Sequence, residues 1–255
     1  YIYINKMSTN QKVAFITGPT RGIGQAIAQK LSKNGYNVCI TGKTIETHKK
    51  SPNTIYSVAK HICDNGGNAH AIQIDVRDED SVQNALDECI KKFGKLDLLI
   101  NNASAIDNSN TSKLKMKKYD LINTVNARGT FMTTKLALPY LLKSENPHVL
   151  TLSPPLDMDP KWLKLGGVGY TMSKYGMSMC TLGMSEEFKG KIAFNSLWPR
   201  YLIATAAVEM VTGKISIQFS MKPEIMADAA YKIVSKDKTK TGNFYIDTDI
   251  VKNAS

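Results

Sequence analysis

Tyr170 and Lys174 stand four residues apart, a spacing that puts both side chains on one face of a helix. A phenol with a pKa near 10 is a poor match for proton transfer at neutral pH. A neighbouring ammonium favours the phenolate, so the pair reads as an acid and base for a reaction that leaves an alkoxide in need of a proton. The spacing alone is weak, because 11 tyrosines in a lysine-rich chain make a chance match expected, and Tyr56 with Lys60 supplies a second. Position separates the two. Tyr56 and Lys60 fall on an early helix, whereas Tyr170 and Lys174 begin a long helix after the fifth apolar run, where a cleft at strand ends would lie.

A second constellation is Thr17-Gly18-Pro19-Thr20-Arg21-Gly22-Ile23-Gly24, a glycine-rich turn between an apolar run and a helical stretch. In that context the segment reads as a phosphate cradle. Gly18 makes the tight turn, Gly22 lets the backbone approach a pyrophosphate, and Gly24 lets helix pack on strand. Amides of the helix start, including that of Ile23, then face the anion. The second apolar run ends at Thr41-Gly42-Lys43, where an acidic residue would accept bonds from a free ribose 2′-hydroxyl. Gly42 stands there instead, and Lys43 together with Arg21 would neutralise a 2′-phosphate from two sides. NADP(H) is therefore the expected cofactor.

These groups need elements to hold them. Short Val-, Ile- and Phe-rich runs alternate with longer amphipathic stretches, the pattern of βα repeats. Strands are expected over 13–17, 37–41, 69–74, 96–101, 148–153, 193–197 and 243–246. Helices are expected over 22–34, 54–65, 79–93, 117–143, 170–188 and 223–235. The expectation is one doubly wound, Rossmann-type α/β domain over 12–255 with a seven-stranded, mainly parallel sheet, preceded by an N-terminal extension at 1–11. No linker, repeat or low-complexity tract marks a second domain.

The glycine turn, Asp75-Val76, Asn101-Asn102-Ala103, Asn126 and Tyr170-xxx-Lys174 occur in an order that resembles the motif series of the short-chain dehydrogenase/reductase family, across about nine-tenths of the chain. The resemblance implies hydride transfer between a nicotinamide and a carbonyl or alcohol. It implies that Tyr170 handles the proton, that Lys174 binds the nicotinamide ribose, and that Asn126 holds a water linking the lysine to solvent. It extends cofactor contacts to Asp75, Val76, Asn102, Ala103, Ser104, Pro199, Ile203 and Thr205. The family also places a serine after strand five to bond the substrate oxygen, about a dozen residues before the tyrosine. Ser153 precedes Tyr170 by seventeen, and laying the usual two-serine ending on Leu152-Ser153-Pro154 would put that position at Pro154 instead. Further departures are Ser104, where glycine is usual, and Trp198-Pro199-Arg200, where Pro-Gly is common. Relatives of this kind often continue into a sterol-carrier domain, expected to be absent here, and reside in peroxisomes or mitochondria. Family helices equivalent to 117–143 and 170–188 pair between subunits, so a homodimer or homotetramer is expected.

Segments 154–169 and 200–222 offer Leu156, Met158, Trp162, Leu163, Leu165, Tyr201, Leu202, Met210, Val211, Ile215, Ile217 and Phe219, which point to an apolar, lipid- or steroid-like carbonyl or alcohol as substrate. Intact Tyr170 and Lys174 favour an enzyme, while the displaced serine leaves open a non-catalytic NADPH-binding sensor or scaffold. The 255 residues carry a formal charge of +11, yet only four are arginines and the densest lysine group, at 113–118, lacks interleaved aromatics. Nucleic acid is therefore not an expected partner. No run approaches a membrane span. Cys39, Cys63, Cys89 and Cys180 are far apart, with no metal-ligand spacing, and read as reduced thiols of a reducing compartment.

Overall fold

Along Val13–Thr17 (β1) every residue is buried. A period of two sends Val13 and Phe15 to one face and Ala14 and Ile16 to the other, and each pair joins a separate apolar core. A strand apolar on both faces must be covered on both, which a parallel sheet with crossover helices provides. The computed structural model describes residues 11–47, 53–213 and 217–252 and has that form. Strands Asn37–Gly42 (β2), Asn68–Gln73 (β3), Leu98–Asn101 (β4), His148–Thr151 (β5), Ala193–Trp198 (β6) and Phe244–Ile246 (β7) join β1 in one seven-stranded sheet. Its order is β3-β2-β1-β4-β5-β6-β7, parallel at every pairing. The order reverses beside β1, and a crevice opens there at the carboxyl ends of the strands.

Helices Gly22–Lys33 (α1), Ile55–Asp64 (α2) and Glu79–Phe93 (α3) follow the first three strands. Met116–Asn123 (α4) and Gly129–Leu141 (α5) follow β4, and Pro160–Gly166 (α6) and Val168–Glu187 (α7) follow β5. Ala206–Thr212 (α8), Glu224–Val234 (α9) and Asp247–Lys252 (α10) follow among the described residues. One core lies under α1, α2 and α9 through Ile27, Leu31, Ile55 and Ile233. The other lies under α3, α5 and α7 through Val82, Leu86, Leu141 and Met184. Fully buried Phe15 and Phe194 each contribute roughly 1.5–3 kcal/mol of burial.

The expected strands appear within two residues of their bounds, and the sheet is wholly parallel. The single helix expected over 117–143 is broken by a π-helical turn at Thr124–Arg128. There Asn126 is drawn wholly inside to bond two other segments, and close approach of Ala127 to Gly176 keeps the turn against α7. Helices α6, α8 and α10 have seven residues or fewer, too short for periodicity to announce. Asp159, whose side chain accepts from the amide of Lys161, and Pro160 at the first position start α6 through local capping alone. Residues 1–10 of the N-terminal extension and Ile215 of the expected substrate segment lie outside the described residues.

Candidate active site

The glycine turn is held by β4 as well as by β1. Thr17 Oγ1 donates to the Ile100 carbonyl (3.2 Å) and accepts from the amides of Asn102 and Ala103 (both 3.0 Å). Asn102 Nδ2 donates to the carbonyls of Thr17 (2.8 Å) and Gly18 (3.0 Å). A Cβ on Gly24 would meet that same amide nitrogen at 2.4 Å, so Gly24 makes room for Asn102 where helix packing on strand was expected. Gly18 turns with φ 67°, a conformation that favours glycine. Helix α1 then begins without a side-chain cap, and its first-turn amides are free of that competition.

This turn borders a cavity of about 940 Å³ that extends from Lys43, Asp75 and Arg77 at one end to Tyr170 and Lys174. Gly18, Thr20, Arg21, Ile23, Val76 and Asn102 line it, as do Ala103, Ser104, Pro199, Ile203 and Thr205. Gly22, Gly24, Asn126 and Ser153 are not among its lining residues. A Cβ on Gly22 would meet Thr205 Cγ2 at 2.9 Å, so this glycine admits the segment after β6. Tyr56 and Lys60, the other match to the spacing, also lie elsewhere: Tyr56 is exposed and Lys60 pairs with Asp64 along α2.

At the cationic end Asp75 receives Arg77 (2.7 Å) and Lys43 (2.9 Å). The Arg77 guanidinium foremost, then Lys43, holds the Asp75 carboxyl well below the usual carboxylate range against the opposing effect of its burial. Arg77 had no motif to mark it. Its signal was a second cation two residues beyond Asp75, at the end of the strand next to β2. The cluster carries net positive charge in a cleft, which suits a phosphate.

At the other end Tyr170 and Lys174 share the cavity, but burial moves them in opposite directions. It pushes the Tyr170 phenol up to about 12, opposed by the Ser104 hydroxyl beside it. It pushes the Lys174 ammonium down to about 7. Lys174 Nζ donates to the Leu152 carbonyl (2.8 Å), contacts Met177 Sδ (3.5 Å) and sits 5.4 Å from the Trp198 ring centroid. The expected acidification of the phenol by this lysine is thus not what the protein alone displays. The one neighbour that opposes the phenol's rise is Ser104.

Ser153 and Asn126 face inward. Ser153 is fully buried and its Oγ bonds Ser196 Oγ (2.9 Å), which donates on to Thr181 (2.9 Å). The expected contact of Ser153 with a substrate oxygen therefore has no support in this geometry. The hydroxyl is turned into a closed chain under α7. Asn126 is also fully buried: Oδ1 accepts from the Ala105 amide (2.8 Å), and Nδ2 donates to the Ala105 carbonyl (3.0 Å) and to Ser173 Oγ (2.9 Å). Both N–H groups are used, so the side chain fastens two other segments to this turn.

The apolar wall comes from Ile106, Leu121, Val125, Leu202, Val208 and Val211. From the expected substrate segments Tyr201, Leu202 and Val211 line the cavity, while Leu156, Met158, Trp162, Leu163 and Leu165 do not. Segment 154–159 is tied back to α7, with Ser178 Oγ donating to the Pro154 carbonyl (2.6 Å) and the Tyr175 hydroxyl to that of Asp157. Among the described residues no cluster of metal-ligating side chains occurs, and no helix is long and apolar enough to cross a membrane.

The model of the short chain dehydrogenase family matches residues 12–214. Hydroxysteroid dehydrogenase-like protein 2 of Xenopus tropicalis is 51% identical over 239 residues, which are 94% of this chain and 57% of that protein. The chain spans little more than half the length of the curated relatives it matches. A short chain dehydrogenase structure from Mycobacterium thermoresistibile superimposes with a TM-score of 0.90 at 41% identity, covering 97% of this chain and 89% of that one. An actinorhodin polyketide ketoreductase with NADPH shares the fold at 19% identity, with a TM-score of 0.80 over 94% of this chain and 96% of its own.

Proposed function

The chain belongs to the short-chain dehydrogenase family, and from that membership we propose an oxidoreductase that moves a hydride between NADP(H) and a carbonyl or alcohol on an apolar substrate. The observation that carries the reading is one cavity, bordered by the glycine turn, that is lined by Lys43 and Arg77 around Asp75, by Arg21, and by Tyr170 with Lys174. A volume of about 940 Å³ suits a dinucleotide with a substrate beside its reactive ring. The residues fit such a cofactor: the α1 amides and the Gly18 turn for the pyrophosphate, and Lys43, Arg77 and Arg21 for a 2′-phosphate. The absence of an acidic residue at Gly42 supports NADP(H) over NAD(H).

When bound, the dinucleotide supplies or accepts the hydride. The protein's part is the proton. In reduction Tyr170 gives its hydroxyl proton to the oxygen of the former carbonyl, and in oxidation its phenolate takes that proton away. A phenol raised to about 12 by burial stays protonated at neutral pH but is a weaker acid than in water, so donation needs a neighbouring positive charge to bring it down. Lys174, able to shed or take a proton near neutrality, stands in the same cavity to hold cofactor hydroxyls and to lower the phenol once its ammonium turns from Leu152. Ile106, Leu121, Leu202 and Val211 exclude water and favour lipid-like carbonyl compounds. An exposed stripe of Met172, Met179 and Leu182 on α7, with Phe131 exposed on the adjoining α5, supports association of copies through these helices.

The test is NADPH oxidation followed by absorbance over aliphatic, steroid and acyl-CoA carbonyl compounds. Tyr170→Phe should lower turnover by about 10²–10⁴-fold and leave NADPH affinity unchanged. The inward turn of Ser153 favours one other reading, an NADPH-binding sensor or scaffold without turnover. Tight NADPH binding by a parent protein that oxidises none of these mixtures would select it.

A further inference from the structure

We propose that Ser104 supplies the hydrogen bond to the substrate's oxygen, with Asn126 as the residue that positions it against Tyr170; the inference rests on the hydride-transfer reading above. A carbonyl being reduced gathers negative charge on oxygen, and a second donor beside the proton donor stabilises that charge. Ser153, the hydroxyl at the end of β5, is wholly buried and committed to Ser196. Pro154, next to it, has no donor. Ser104 is exposed and lines the cavity together with Tyr170 and Lys174, and its hydroxyl opposes the rise that burial imposes on the Tyr170 phenol.

The Ser104 hydroxyl has one proton to give, and in this structure it goes to the Ala105 carbonyl over a long 3.3 Å. That carbonyl already accepts from Asn126 Nδ2 at 3.0 Å, so release of the Ser104 proton leaves it satisfied. The same Asn126 nitrogen donates to Ser173 Oγ (2.9 Å), which donates to the Tyr170 carbonyl (2.7 Å). One buried amide thereby fastens the loop carrying Ser104 to the turn carrying Tyr170. The proton that completes the alcohol comes from Tyr170, which is left as phenolate, while Ser104 keeps its own throughout. Glycine at 104 would have no group to offer.

The experiment compares Ser104→Ala, Ser104→Thr, Ser153→Ala and Tyr170→Phe in the full chain, with NADPH and with decanal, a ketosteroid and acetoacetyl-CoA as probes. NADPH affinity is read by fluorescence, and kcat and KM across pH by absorbance. Ser104→Ala should lower kcat/KM by about 10²-fold, chiefly in kcat, with NADPH affinity kept. It should also move the limb of the pH profile that reports Tyr170 to higher pH, since the serine hydroxyl opposes the phenol's rise. Ser104→Thr should restore most of the rate, and Ser153→Ala should stay near the parent. A Ser104→Ala protein as active as the parent, a large loss confined to Ser153→Ala, or a loss explained by weaker NADPH binding would each overturn the assignment while leaving the oxidoreductase reading in place. A parent that binds NADPH and turns over none of the probes overturns both.

Discussion

At the scale of single residues, charge distribution separates the two ends of the cavity. Around Asp75 two cations share one carboxylate, so positive charge is left over, with Arg21 lining the same cavity. A charge-assisted bond to a phosphate contributes about 1.5–3 kcal/mol. Lys43→Ala should therefore weaken NADPH binding about tenfold or more and spare NADH, which lacks the 2′-phosphate. Fluorescence titration with both nucleotides checks this, and an equal loss for the two would remove the phosphate from this end. Near Tyr170 the balance differs, because no carboxylate bonds Lys174 and the ammonium rests on a carbonyl, a sulfur and an indole face. Burial without a counter-charge is what pushes it down to about 7.

At the scale of elements, two joints are expected to be sensitive. The π-helical turn brings Asn126 to Ala105 and Ser173, and Asn126→Ala would strand the Ala105 amide and leave its carbonyl only the long bond from Ser104. We expect a loss of about 2–4 kcal/mol in urea unfolding, with activity falling in the surviving folded fraction. The foot of β5 is the second joint. His148 is buried, bonds the Lys236 carbonyl through Nε2 (3.0 Å) and has no partner at Nδ1, so burial lowers it from 6.5 to about 4. Between those values the unfolded chain binds a proton that the folded chain refuses. Stability is therefore lost as pH falls from about 6.5 toward 4, by about 3 kcal/mol in all. Unfolding of the parent and of His148→Gln at several pH values should show the acid loss flattened in the variant; equal slopes would rule out His148 as its source.

At the scale of the whole molecule, the parallel sheet leaves no face of β1 open, so among the described residues the apolar surface that remains exposed lies on helices and loops. Met172, Met179 and Leu182 recur along α7 at intervals that keep them on one stripe, and α5, which packs against α7, exposes Phe131. Sedimentation at micromolar concentration should give a dimer or tetramer, and Met179→Glu should shift it toward monomer. A monomeric parent would count against pairing through these helices. Exposed Met158, Leu165 and Phe219 lie in the segments read from sequence as substrate walls, yet they are not among the cavity's lining residues.

The sequence by itself determined the sheet, the glycine turn, and the pairing of Tyr170 with Lys174 over Tyr56 with Lys60. The reason is that burial on two faces, a turn needing positive φ, and four-residue spacing are all written in local order. It did not reveal the π-helical turn, Arg77 at the cationic end, or which serine meets the cavity. Those depend on partners 21 to 51 residues apart: Asn126 with Ala105 and Ser173, Ser153 with Ser196, and Arg77 with Arg128, whose guanidinium donates to the Arg77 carbonyl. Only tertiary contact decided that Ser153 bonds inward while Ser104 opens outward, because a hydroxyl follows whichever acceptor the fold brings within about 3 Å of it.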